Sequence, residues 1–223
     1  MHVAIIPDGN RRWAKEHGFS PLKGHEIGIK KLEKALKWAK DKDIDTLSLW
    51  ILSTENLNRS EVEIRGLYKF FENAIINNLK DEYIKKYNVK VNFFGEIWLL
   101  PERIQKLIKD VEQKSSSNTE KTLNLFIAYG GRAEILYAVN SLIDAGIKNV
   151  DEETFSKYLF TKNVSDPDLI IRTSGELRTS GFLPWQGVYS EYFFSDKLWP
   201  DFEKQDFDRA VDEYLSRKRR FGK

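Results

Sequence analysis

Short unbroken apolar runs alternate along this chain with longer stretches in which apolar residues recur every three or four positions. Val3 to Ile6 has no polar alternation, as a strand covered on both faces would, and Pro7 ends it. From Gly24 to Asp41, Ile29, Leu32, Ala35, Leu36 and Ala39 mark one buried helix face. Thr46 to Leu52 is a second strand. Ser60 with Glu63 reads as a capping box opening a long helix on Leu67, Phe70, Phe71, Ala74, Ile75 and Leu79. Val89 to Phe94 reads as a third strand, and Pro101 to Lys114 as a helix on Ile104, Leu107, Ile108 and Val111. Lys114 to Thr119 reads as a flexible loop. Thr122 to Ala128 makes a fourth strand, followed by a helix through Ile135, Leu136, Val139, Leu142 and Ile143. A short helix around Glu152 to Leu159, a strand at Leu169 to Ile171, a sixth strand from Gly187 to Phe194 and a helix from about Gln205 to Arg217 complete the pattern. The alternation predicts the α/β class, with a central, mostly parallel six-stranded sheet flanked by helices.

Composition narrows the function. A chain of 223 residues suits one domain over 1–223. Its 36 basic and 34 acidic residues nearly cancel, so no nucleic acid is expected and any anion site must be a local cluster. The absence of cysteine excludes disulfides, thiolate catalysis and cysteine metal sites. No apolar run approaches the roughly 20 residues that span a bilayer, and no signal-peptide pattern precedes Val3, which predicts a soluble cytoplasmic protein.

The candidate chemistry lies where strands end. Val-Ala-Ile-Ile-Pro-Asp-Gly-Asn-Arg-Arg-Trp, residues 3 to 13, puts a carboxylate and two guanidiniums at a strand's carboxyl end, where open α/β sheets bind ligands. Gly9 lets backbone approach a ligand, the following helix turn presents N–H groups, and arginine forks match phosphate oxygens. Asp8 fits such a place if a cation sits between it and the phosphate. Arg59, Arg132, Arg172 and Arg178 follow other strand ends. Each close arginine–phosphate pair is worth about 4 kcal/mol gross at an effective dielectric near 20, so several together could hold one or two diphosphates. Neither GxxxxGK[ST] nor GxGxxG occurs, which argues against a nucleotide loop. Glu191, inside an apolar strand, either shares Mg²⁺ with Asp8 or faces solvent from an edge strand. His25 either donates to phosphate or caps a helix. Trp50, Ile51, Phe70, Phe71 and Phe93 suit a packed core and an apolar tunnel equally.

The same residues resemble the cis-prenyltransferases, the undecaprenyl and dehydrodolichyl diphosphate synthase family, from His2 to Gly222. The blocks are residues 2 to 14, Ser-Thr-Glu-Asn-Leu-Asn-Arg at 53 to 59, Tyr-Gly-Gly-Arg at 129 to 132, and residues 168 to 180, followed by Phe-Leu-Pro-Trp-Gln at 182 to 186, Glu191 and Leu-Trp-Pro-Asp-Phe at 198 to 202. The resemblance implies a Mg²⁺-dependent enzyme, with an apolar tunnel for the prenyl chain, that condenses isopentenyl diphosphate onto an allylic diphosphate primer with cis geometry. It assigns Asp8, Asn10 and Asn56 to catalysis and Asp8 with Glu191 to the metal. Gly9, Asn10, Arg11, Arg12, Trp13, His25, Ser53 and Arg59 would hold the allylic diphosphate. Arg172, Arg178 and Ser180 would hold isopentenyl diphosphate, helped by Arg220 and Gly222 from a second subunit. A homodimer and peripheral contact with a membrane at product release are further implications.

Three positions depart from the bacterial pattern. Pro21 replaces an arginine that would hold the allylic diphosphate, a role that either disappears or passes to Lys23; Leu57 replaces a tryptophan, and Ser174 a glycine. Ile51 stands where long-chain members often carry alanine, and a bulkier wall there would shorten the product. The alternatives are a noncatalytic partner subunit, a synthase of branched or cyclic monoterpenoid diphosphates, and a phosphohydrolase using Asp8 as nucleophile.

Overall fold

The computed structural model describes residues 1–78, 84 and 88–217. Its sheet has six strands: β1 His2–Ile6, β2 Thr46–Ser53, β3 Val89–Phe94, β4 Lys121–Tyr129, β5 Leu169–Arg172 and β6 Glu191–Phe194. They run in the order β3-β4-β2-β1-β5-β6, and every neighbouring pair is parallel. The described helices are α1 Asn10–Glu16, α2 Pro21–Asp41, α3 Glu61–Asn78, α4 Glu102–Ser115, α5 Gly131–Asp144, α6 Glu152–Ser156 and α7 Lys204–Ser216. No helix among the described residues is long and apolar enough to cross a membrane.

The two faces of the sheet are covered unequally. On one, Ala35 and Trp38 of α2, Leu67, Phe71 and Ile75 of α3, Ile104, Ile108 and Val111 of α4, and Phe207, Ala210 and Val211 of α7 form a single core with Val3, Leu47, Leu49 and Leu123. On the other, Ala4, Ile6, Trp50, Phe126 and Ile170 lie beneath Phe182 and Leu183. The buried carboxylate of Glu134 on α5 ties that segment down, accepting from Tyr129 Oη at 2.6 Å and Gln186 Nε2 at 3.1 Å. The central strand β1 sends its chain to β2 on one side, while β5 sends its chain to β6 on the other. This reversal opens a crevice at the carboxyl ends of β1 and β5, the place where such sheets bind ligands.

Several expectations need correction. The stripe Leu136, Val139 and Ile143 of α5 faces outward, with Ile143 66% exposed, while Glu134, Ala138 and Leu142 face in. Strand β6 starts at Glu191 rather than Gly187, because residues 187 to 190 turn. The segment read as a loop from Lys114 is tied to β3: Ser115 ends α4 and accepts from Val91 N at 3.0 Å, and Asn118 donates to Val89 O at 2.9 Å. Ser60 does accept from Glu63 N at 3.4 Å, but the Glu63 carboxylate serves His25 and Arg59 instead. Leu79 lies outside the described residues.

Candidate active site

Asp8 is fixed before its side chain does anything. Its carbonyl accepts from Trp199 N at 2.9 Å and Thr173 Oγ1 at 2.7 Å. Gly9 follows at φ +107°, and a Cβ there would stand 2.9 Å from Leu198 Cδ2 and 3.1 Å from Leu198 Cα, so both conformation and space require glycine. Asp8 Oδ1 accepts from Gly9 N at 2.7 Å and Oδ2 from Arg172 Nη2 at 2.8 Å. Burial pushes the Asp8 carboxyl up, yet Arg172, Ser174 and Gly9 N together hold it below the usual carboxylate range. Asp8 is therefore an anion at neutral pH. The other arm of Arg172 donates to Ser180 Oγ at 2.8 Å and Arg178 O at 2.5 Å, so one nearly buried guanidinium spans the crevice.

The opposite wall is built by α1, α2 and the end of β2. Arg12 Nη2 lies 3.7 Å from Asp8 Oδ2, and Arg12 Nη1 donates to Glu176 Oε1 at 3.2 Å. Ser53 and Asn56 fix each other: Ser53 Oγ accepts from Asn56 N at 3.2 Å, and Asn56 Oδ1 from Ser53 N at 3.3 Å. Arg59 Nη1 meets Glu63 Oε1 at 3.0 Å, and His25 Nε2 lies 3.1 Å from the same oxygen. Burial lowers the His25 pKa, and the nearby Arg59 and Arg11 charges lower it further against the pull of Glu63. Asn10 packs where two glycines of α2 make room: a Cβ on Gly28 would lie 2.1 Å from Asn10 Oδ1, and one on Gly24 2.1 Å from Asn10 O.

A cleft of about 770 Å³ joins these walls, lined by Asp8, Gly9, Asn10, Arg11, Arg12, His25, Ser53, Asn56, Arg59, Arg172 and Ser180. Trp13 is not in its lining; it donates to Asp201 Oδ1 at 2.8 Å and stacks on His17. Arg178 stands beside the cleft, 60% exposed and paired with Glu176. Arg132 does not line it either. Lys23 pairs with Glu26 at 2.9 Å outside the lining, whereas Lys15, which the sequence reading passed over, lines the cleft with Phe19 and Pro21. Its signal was the four-residue spacing from Arg11. Helix α1 is only seven residues long, so anion affinity rests on side chains more than on a helix end.

The cleft does not end in polar groups. Ile51, Leu52 and Leu67 carry its wall into a cavity of about 50 Å³. Ile29, Leu32, Ile51 and Phe71 pass that on to another of about 60 Å³ between α2, α3 and the sheet. The expected tunnel takes this form of narrow apolar pockets in series.

Glu191 corrects the expectation of a shared metal site within one chain. It is level with Leu169 and Val3 at the amino end of β6, roughly 10 Å along the strands from Ile6 and farther from Asp8. Its carboxylate accepts from Arg217 Nη1 at 2.6 Å. Among the described residues no three acidic or histidine side chains gather into a metal cage. A single ionised carboxylate among arginines fits Mg²⁺ completed by diphosphate oxygens and water, so Asp8 suits the ion without Glu191 of the same chain. Arg220 and Gly222 lie outside the described residues.

Residues 6–222 match the family model described as putative undecaprenyl diphosphate synthase. The chain belongs to the cis-prenyltransferase family. It is 42% identical over its whole length to a tritrans,polycis-undecaprenyl-diphosphate synthase (geranylgeranyl-diphosphate specific) of Thermococcus kodakarensis, covering 86% of that protein. It is 44% identical to an isoprenyl transferase of Fusobacterium nucleatum over 99% of this chain and 95% of the relative. Among solved structures, lavandulyl diphosphate synthase from Lavandula x intermedia in complex with dimethylallyl diphosphate superposes with a TM-score of 0.93 at 35% identity, covering 100% of this chain and 98% of that one. A probable undecaprenyl diphosphate synthase from Campylobacter jejuni gives 0.82 at 31%, with the same coverage. Two of the three departures of this cis-prenyltransferase have local causes. Pro21 opens α2 behind the Ser20 cap, a position that favours proline. Leu57 packs on the main core. Ser174 sits at φ +85°, a conformation that glycine adopts more cheaply.

Proposed function

We propose that this protein elongates a prenyl chain in cis, condensing isopentenyl diphosphate with an allylic diphosphate to give a Z-polyprenyl diphosphate and free diphosphate. The observation that carries the reading is continuity: an ionic cleft around Asp8, Arg12, Arg59 and Arg172 opens directly onto apolar pockets along Ile51 and Leu67. Such a site takes a molecule charged at one end and hydrocarbon at the other. A phosphohydrolase would have no use for the apolar continuation.

In this reading Arg11, Arg12, Arg59 and His25 hold the allylic diphosphate, while Arg172, Arg178 and Ser180 hold that of isopentenyl diphosphate. The C4 of isopentenyl diphosphate then faces the allylic C1. The new carbon–carbon bond forms as the allylic C–O bond breaks, and the arginines stabilise charge on the departing diphosphate. A C2 proton leaves to close the new double bond, and the departing diphosphate is a candidate acceptor. Bound Mg²⁺, held by Asp8 and diphosphate oxygens, would add Lewis-acid stabilisation of that charge. Each added five-carbon unit gains roughly 3 to 4 kcal/mol by burial at about 0.8 kcal/mol per carbon. That gain slows release, which peripheral contact with a membrane would relieve.

Two finer points belong to the proposal. The pockets of about 50 and 60 Å³ and the likeness to lavandulyl diphosphate synthase favour a short or branched product as the second reading. A cytoplasmic homodimer completes the first, with Arg220 and Gly222 reaching the partner's site. The test is incubation with Mg²⁺, labelled isopentenyl diphosphate and, separately, dimethylallyl, geranyl, farnesyl or geranylgeranyl diphosphate. A ladder of linear Z products supports elongation. A single branched or cyclic ten-carbon product replaces it with the second reading, and a folded protein without product with every primer points to a noncatalytic partner subunit.

A further inference from the structure

Glu176 is the acidic residue that the reading of the site leaves without a task. Its Oε1 accepts from Arg12 Nη1 at 3.2 Å, and its Oε2 accepts from Arg178 Nη1. Arg12 belongs to α1, in the connection from β1 to β2; Arg178 belongs to the connection from β5 to β6. One carboxylate thus joins Arg12, which lines the cleft, to Arg178, which stands beside it. Its backbone is not free to drift. Ser174 N donates to Lys197 O at 2.7 Å and Gly175 N to Ser195 O at 2.8 Å, and Ser174, Gly175, Ser180 and Gly181 all hold positive φ. The carboxylate itself is 28% exposed, so it can leave the arginines without unfolding anything.

We propose that Glu176 is a built-in stand-in for diphosphate, a positioning residue that holds Arg12 and Arg178 before substrate arrives and competes with diphosphate for them. This rests on the reading that these arginines bind diphosphates. With Glu176 in place, two solvent-exposed guanidiniums stay paired and partly neutralised. A substrate with an apolar tail binds with enough added burial to displace the carboxylate. Free diphosphate has no tail, so Glu176 favours its departure after each condensation. Because its two oxygens hold one arginine each, diphosphate arriving at either arginine meets the same competitor.

The test is calorimetric titration of inorganic diphosphate into wild type, Glu176→Gln and Glu176→Ala, with thermal melting as a control for folding. Removing the competing negative charge from Arg12 and Arg178 should tighten diphosphate binding by about tenfold. It should also make diphosphate a correspondingly stronger inhibitor of turnover, with melting temperatures unchanged. Equal or weaker binding in both variants, beside measurable binding in wild type, overturns the stand-in and leaves Glu176 as an anchor that orders the arginines. Absence of diphosphate binding in all three proteins overturns the assignment of the arginines, and Glu176's role with it.

Discussion

Asp8 answers to Arg172 and to the cleft at once. Asp8→Asn keeps an oxygen for Arg172 Nη2 but removes the charge, and Arg172 retains Ser180 Oγ and Arg178 O. Stability should fall by about 1–2 kcal/mol, while condensation falls at least about a hundredfold. Parallel denaturation curves and turnover assays separate the two losses, and near wild-type turnover would sink the metal assignment. A second residue sets an acid limit. His2 is buried, its Nδ1 donating to Ser165 O and its neutral Nε2 accepting from Ser48 Oγ, both at 2.7 Å, and burial pushes its pKa from 6.5 to about 4. The unfolded chain binds that proton more readily, so the neutral form's contribution is complete above about pH 6.5 and is lost as pH falls toward 4. Between pH 7 and 5 His2 should cost about 2 kcal/mol of stability, with His25 adding in the same direction. Urea titrations across this range should show a shallower slope for His2→Gln. At this scale Asp8, Arg12 and Arg172 were legible because motif and strand end coincide. His2 was not, because its partners Ser48 and Ser165 are remote in sequence.

Helix α1 carries Arg11, Arg12 and Lys15, and it sits where it does because α2 lacks side chains at Gly24 and Gly28. Gly28→Ala would drive a methyl into Asn10 Oδ1. Overpacking of this kind costs about 1–3 kcal/mol, and the displaced α1 should raise the KM for the allylic substrate more than it lowers kcat; an unchanged KM would mean that α1 absorbs the shift. On the other side of the cleft, Ile51 borders all three pockets. Ile51→Ala should lengthen the products, at a stability cost of about 2 kcal/mol for this half-buried side chain, as chromatography of dephosphorylated chains would show. Strands β1 to β5 were readable within a residue because an unbroken apolar run has one use in a sheet covered on both faces, whereas β6 begins four residues later than its apolar run because residues 187 to 190 turn. The burial face of α5 was not, because its inward stripe, Glu134, Ala138 and Leu142, is less apolar than its outward one. A buried glutamate satisfied by Tyr129, Thr161 and Gln186 is invisible to a hydrophobic pattern.

That outward stripe matters for the whole molecule. One face of the sheet is packed by four helices, whereas beyond the second core α5 shows Leu136 at 62%, Val139 at 37% and Ile143 at 66% exposure. The three residues are three and four apart on α5 and form one ridge. Lone exposed aliphatics are ordinary, but a contiguous ridge on the thinly covered face of an otherwise well-packed sheet suits burial against a second copy. Leu136→Glu with Ile143→Glu should leave the monomer folded, since both positions already face water, and should shift the mass in light scattering from two chains to one. If the tail of one subunit completes its partner's isopentenyl diphosphate site, the monomeric variant should also show a raised KM for that substrate, with the allylic KM unchanged. A wild-type monomer, or a variant that stays dimeric, would remove this face from the assembly. A clean monomer with both KM values intact would keep the interface and remove the exchange of tails.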